Sequence, residues 1–69
     1  MTLTELRESV PMTISELARA ANVDDQTIRN AEKGQRISVQ TARGIAQALS
    51  RELGRTIQVR DIDELQVRW

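Results

Sequence analysis

The 69-residue chain has no cysteine, no histidine, no tyrosine and no phenylalanine, and its only aromatic residue is Trp69. Without cysteine there is no disulfide and no thiolate metal site. Without histidine the commonest zinc ligand and the commonest general base are both missing. There is no glycine-rich phosphate loop, and serine and lysine show no paired spacing. Chains this small rarely enclose a pocket, so an enzyme is the least supported class, and no cofactor, metal or small-molecule ligand is expected. No apolar run approaches a membrane span or a signal peptide, which points to a cytoplasmic protein without a membrane partner.

What the chain does contain is aliphatic. Hydrophobic residues make up 39% of it, mostly Leu, Ile, Val and Ala, a composition that suits one small all-helical domain. A domain of this size buries only about 60% of its unfolded surface, so its core is marginal. Ten basic side chains balance ten acidic ones. Their distribution is uneven. Residues 1–28 hold two basic and five acidic side chains, residues 29–55 hold six basic and two acidic, and residues 56–69 hold two basic and three acidic. A positive block therefore covers the middle of the chain, where it would favour a polyanionic partner.

The stretch from Thr13 to Gly34 organises the sequence. Ile14, Leu17, Ala18 and Ala21 fall at helical spacing on one face. Thr13 caps this helix, with Glu16 three residues later in capping-box position. Asn22 enters the left-handed region cheaply and stops it. Asp24 caps a second helix, whose acidic first turn suits the positive end of the helix dipole, and Gly34 ends it. On that second helix only Ile28 and Ala31 look inward, leaving Gln26, Thr27, Arg29, Asn30 and Lys33 outside. Two helices joined by so short a turn form a helix-turn-helix, which places its second helix in the major groove of DNA.

The flanking elements support this unit. Thr2 and Glu5 repeat the capping-box spacing, Leu3, Leu6 and Val10 form a stripe, and Pro11 stops the first helix. That helix covers the back of the helix-turn-helix, with Arg7 on a solvated face or near a phosphate. Ser38 caps a longer helix over 38–53, on which Val39, Ala42, Ile45, Ala46, Leu49 and Leu53 share a side, and Gly54 stops it. Gly44 inside this helix costs about 1 kcal/mol relative to Ala; close packing against a neighbouring helix would explain it, and so would simple tolerance. The tail, 55–69, is ambiguous. Ile57 and Val59 alternate with polar residues, as do Leu65, Val67 and Trp69, which favours strand; Ile62 and Leu65 are spaced for one helical turn. Either the last apolar residues close the core or they form a dimer contact.

Residues 13 to 53 resemble the helix-turn-helix of the Cro and phage-repressor (XRE) family. The matching residues are Leu17-Ala18, Val23, Ile28, Glu32-Lys33-Gly34, Thr41 and Ile45-Ala46-Gln47-Ala48-Leu49. The resemblance implies an all-α, compact, four- to five-helix lambda-repressor-like domain over 1–69, with a short fifth helix at roughly 59–65 and extended residues after it. It also implies double-stranded DNA as partner. Asp25, Gln26, Thr27, Arg29 and Asn30 lie where family members read bases. A carboxamide such as Gln26 or Asn30 bonds adenine bidentately, Arg29 suits guanine or a phosphate, and Thr27 a thymine methyl. Thr13, Ser15, Lys33, Gln35, Arg36 and Thr41 are the candidates for backbone phosphate contacts.

Two positions depart from the family pattern. Many members carry Gln at the first position of helix 2, where it holds a phosphate and braces the recognition helix; Ile14 does neither. Asp25 puts a negative charge at a base-reading position, where it can accept from a cytosine amino group or serve only as a dipole partner. The connection Gln35-Arg36-Ile37 is also shorter than usual and lacks a proline. The expected function is a small transcriptional regulator, a repressor, working as a homodimer on a near-palindromic operator. The alternatives are a helix-turn-helix antitoxin, or a protein-interaction module that keeps the fold without reading DNA.

Overall fold

The computed structural model describes all 69 residues. Four α-helices run Leu3–Ser9 (α1), Ile14–Ala21 (α2), Asp25–Glu32 (α3) and Val39–Leu53 (α4). Each starts where a side-chain oxygen takes up an orphan amide. Thr2 and Thr13 form complete capping boxes with Glu5 and Glu16, Asp24 accepts from the Thr27 N–H, and Ser38 accepts from the Thr41 N–H. The ends follow the left-handed positions in the sequence. Asn22 (φ 61°), Gly34 (φ 85°) and Gly54 (φ 69°) each turn the chain out of a helix. After Asn22, the Val23 N–H reaches back to the Ala18 carbonyl at 2.9 Å, which closes the tight turn between α2 and α3.

The core is a single cluster. Leu17 from α2, Ile28 from α3, and Ile45 and Leu49 from α4 are its largest fully buried side chains. Leu3 and Leu6 of α1 cap it from behind the helix-turn-helix, as their spacing predicts. Burying one such Leu or Ile contributes about 1.5–3 kcal/mol, so a core this small depends on each of them. The α2–α4 contact is the most extensive in the molecule. It answers the question posed by Gly44: a Cβ built there would lie 3.1 Å from the carbonyl oxygen of Ala21. The glycine lets α4 approach the end of α2 without strain; a methyl at that position would require a shift of a few tenths of an ångström.

The tail departs from expectation. In place of a helix over 59–65 there is one 3₁₀ turn, Val59–Asp61. Ile62 then goes extended (φ −93°, ψ 107°) and is buried, and Asp63 bridges in parallel to Thr2, its N–H bonding the Met1 carbonyl at 2.9 Å. A second helical turn would carry the chain away from both contacts. Glu64 (φ 64°) redirects it, and the extended end forms a strand, Val67–Arg68 (β2), as the alternation predicts. Its partner is Ile37–Ser38 (β1), inside what the sequence suggests is a plain connection. The pairing is parallel, Ile37 opposite Val67 and Ser38 opposite Arg68. Ile37 is buried, so its N–H needs a partner, and it finds the Gln66 carbonyl at 2.9 Å. Ser50 fastens the tail's start, its Oγ accepting from the Ile57 N–H at 2.8 Å. Of the tail's last apolar residues, Leu65 and Val67 pack on the core, whereas Trp69 is 83% exposed.

Candidate nucleic-acid interface

α3 is held on three sides. Ile28 and Ala31 face the core, with the rest of its surface polar. Its C-terminal end is tied to α1: Arg7 Nε donates to Glu32 Oε2 at 2.6 Å, and Thr4 Oγ1 donates to Glu32 Oε1 at 3.0 Å. Arg7 also donates to the Met12 carbonyl at 2.9 Å. This corrects the expectation for Arg7, which is neither solvated nor free for a phosphate. The ion pair leaves only 14% of the Arg7 side chain and 13% of that of Glu32 exposed. The bond to Glu32 stabilises the charged guanidinium further.

The other end of α3 is tied to α2. Ser15 Oγ donates to Asp25 Oδ2 at 2.5 Å. The brace that Ile14 is unable to supply is therefore made one residue later, by a hydroxyl and the carboxylate that opens α3. This commits one oxygen of Asp25 and the proton of Ser15, and sets the first turn of α2, with Thr13, beside the first turn of α3. Thr13 itself is engaged in its capping box. Asp24 accepts from both the hydroxyl and the N–H of Thr27, which together hold its carboxyl below the usual range. The Thr27 hydroxyl thus points back to the cap, leaving its methyl outward.

Three side chains remain on the free face. Gln26 and Asn30 are one turn apart, and the Gln26 Nε2 donates to the Asn30 Oδ1 at 2.9 Å. The pair leaves the Gln26 Oε1 as an acceptor and the Asn30 amide as a donor, the combination that the Hoogsteen edge of adenine matches. Arg29 is exposed and makes no ion pair.

The backbone-contact candidates separate into groups. Arg36 and Thr41 border one polar cavity of about 200 Å³ with Thr27 and Asn30 of α3. Lys33 is not among them; it borders a different cavity, shared with Glu32, Asp63 and Glu64. Gln35 is exposed in the turn after α3. The parallel strand also brings Arg68, which the sequence does not single out, to the cavity of Arg36 and Thr41. The signal for it was the Leu65-Val67 alternation, which marks a strand without naming its partner.

No group of three or more metal-ligating side chains comes together, and no helix is long and apolar enough to cross a membrane. Neither a curated protein nor a solved structure matches the chain. The helix-turn-helix family model matches residues 3–55, from the first residue of α1 to just past α4, and on that match the chain belongs to the Cro and phage-repressor (XRE) type helix-turn-helix family of DNA-binding regulators.

Proposed function

We propose that the chain is a sequence-specific repressor that binds double-stranded DNA as a homodimer, with α3 in the major groove of each half-site. The observation that carries this reading is the Gln26–Asn30 carboxamide pair, displayed beside Arg29 on a helix fixed at both ends by Ser15–Asp25 and Arg7–Glu32. Prepositioned hydrogen-bonding groups on a rigid helix are what direct base readout requires. Gln26, Arg29 and Asn30 are the principal readers; Thr27 offers a methyl and Asp25 one uncommitted carboxylate oxygen. Gln35, Arg36, Thr41 and Lys33 are assigned to the backbone, together with the Thr13 hydroxyl and, because its hydroxyl proton is committed to Asp25, Ser15 through its backbone N–H at the start of α2.

Pairing follows from size. Half-sites are about 34–36 Å apart, whereas the longest extent of the domain is 27 Å. One copy presents one α3, so a palindromic site needs two. Trp69 stands exposed beside Val59 at a groove that Arg43, Gln47, Gln58 and Arg60 also line, a mixed apolar and polar surface that a second copy could cover. A domain that binds by occupying its site represses a promoter it overlaps.

The test is selection of binding sites from a random duplex pool at low salt, followed by salt titration of the winner. An enriched near-palindrome with steeply salt-dependent affinity supports the reading. A lone half-site removes the dimer. No enrichment shifts the assignment to a protein-docking module, for which the acidic Asp24–Asp25 corner is the first surface to examine.

A further inference from the structure

We infer that Arg68, in the strand that follows the family's common core, forms with Arg36 a clamp on the DNA backbone beside the bases that α3 reads; the inference rests on the DNA-binding reading above. The family match ends at residue 55, so nothing in it assigns the tail a part in binding.

The parallel pairing of β2 with β1 sets Arg68 opposite Ser38, two residues from Arg36. Both arginines border the same cavity, whose other walls are Thr27 and Asn30 from α3, and Ile37, Ser38 and Thr41. Six of these seven side chains are polar or charged, and no carboxylate is among them. Neither Arg36 nor Arg68 makes a side-chain hydrogen bond or an ion pair within the protein, although the chain has as many acidic as basic residues. Most other cations of the chain, Arg29 among them, are likewise unpaired; what distinguishes Arg36 and Arg68 is that the two line one cavity that holds no carboxylate. Two unpartnered guanidiniums sharing one cavity repel each other, and that repulsion is relieved when an anion enters between them.

A phosphodiester fits this chemistry. Guanidinium donors take phosphate oxygens bidentately, and the hydroxyl of Thr41 adds another polar group. The source of the phosphate follows from the position. Asn30 lies on the wall of the cavity and on the reading face of α3. A phosphate held there belongs to the strand whose bases α3 faces. The contact is sequence-independent, yet it fixes how deeply and at what angle α3 enters the groove. On this view β2 is part of the binding surface: its pairing with β1 satisfies the buried Ile37 N–H and also delivers Arg68.

The test compares wild type, Arg68→Ala and Arg68→Lys on the selected duplex and on a scrambled one. Arg68→Ala is expected to weaken both complexes alike, with the sequence preference kept and the slope of log affinity against log salt reduced by about 0.9, so that about 3.5-fold less affinity is lost over a fourfold rise in salt. Arg68→Lys keeps the charge and is expected to restore the slope. Scanning the duplex with single neutral methylphosphonates should find one position that weakens wild type more than Arg68→Ala, in which Arg36 alone still meets that phosphate. Thermal melting of the free variants should be unchanged, because the side chain is exposed and the strand pairs through its backbone. If wild type selects a site while Arg68→Ala binds with unaltered affinity and slope, the clamp is overturned and the DNA-binding reading stands. If wild type selects no duplex, both are overturned.

Discussion

Glu32, the last residue of α3, holds Arg7 of α1 through a 2.6 Å contact while accepting from Thr4 at 3.0 Å. The Glu-Lys-Gly closure that carried the family resemblance is thus a structural clasp. It fixes the C-terminal end of the recognition helix to the helix behind it. Removing either partner leaves a largely buried charge without its counter-ion.

Glu32→Ala is therefore expected to lower unfolding free energy by about 1.5–3 kcal/mol. Arg7→Met should cost less, because its aliphatic body still covers the core and Glu32 retains Thr4. The double variant should lose less than the two single losses added, since the second change removes a charge already orphaned. Urea unfolding of the four proteins measures this directly; strict additivity would show that the pair is not coupled.

The second expectation concerns Gly44. Alanine there gains about 1 kcal/mol of helix propensity but places its methyl 3.1 Å from the Ala21 carbonyl oxygen, so Gly44→Ala should change stability little. Gly44→Val adds two branches to the same gap and should destabilise by about 1–3 kcal/mol through overpacking. The consequence reaches the site, because Ala21 is the residue before the Asn22 turn that aims α3. A valine variant as stable as wild type would mean that α4 and α2 do not approach so closely.

Acid should unfold the protein through its caps. Asp24 is held below the usual carboxylate range by the Thr27 hydroxyl and then its N–H, and Glu16 by the Thr13 N–H and then its hydroxyl. A carboxyl depressed in the folded state adds stability above its unfolded value, near 4, and that stability is lost as pH falls through the folded value. With no histidine in the chain, melting temperature should be level between about pH 5 and 7 and should drop below about pH 4. Asp24→Asn keeps a capping acceptor but no titration, so its acid limb should be shallower. An acid limb identical to that of wild type would remove Asp24 from this account.

Much of this was legible in the sequence because it is written in local chemistry. Thr2, Thr13, Asp24 and Ser38 cap through bonds three residues away, and Asn22, Gly34 and Gly54 turn the chain by their own dihedral preference. The inward pair Ile28 and Ala31 follows from helical period alone. The features that were not legible are those joining distant segments. Nothing local to Val67 says that it pairs with Ile37, 30 residues earlier. Nothing local to Arg7 names Glu32, 25 residues away. The spacing of Ile62 and Leu65 fits one helical turn and a bent extended path alike; the family resemblance favours the helix, and only the contacts of Asp63 with Met1 and Thr2 decide against it.

The face proposed to read bases is half legible. Which side chains α3 leaves outside follows from helical period, but that Gln26 bonds Asn30 does not, since a side chain bonding its neighbour four residues on leaves no trace in composition. The Gln26–Asn30 bond at 2.9 Å makes a specific demand on the energetics of readout. If each carboxamide met its own base independently, the losses on substitution would add. If the bond orients both groups toward one base pair, removing either leaves the other free to rotate. Gln26→Ala and Asn30→Ala should then each cost about 1–3 kcal/mol of discrimination at the same base pair. The double variant should cost much less than the two losses together, a coupling of at least about 0.5 kcal/mol. Melting temperature should barely move, because a single exposed pair four residues apart on a helix contributes only about 0.2–0.5 kcal/mol. The measurement is affinity of the four proteins for the selected duplex and for every single-base variant of one half-site. Loss of preference at two separate base pairs, with additive energies, would show that Gln26 and Asn30 read independently and that their bond in the free protein breaks on binding.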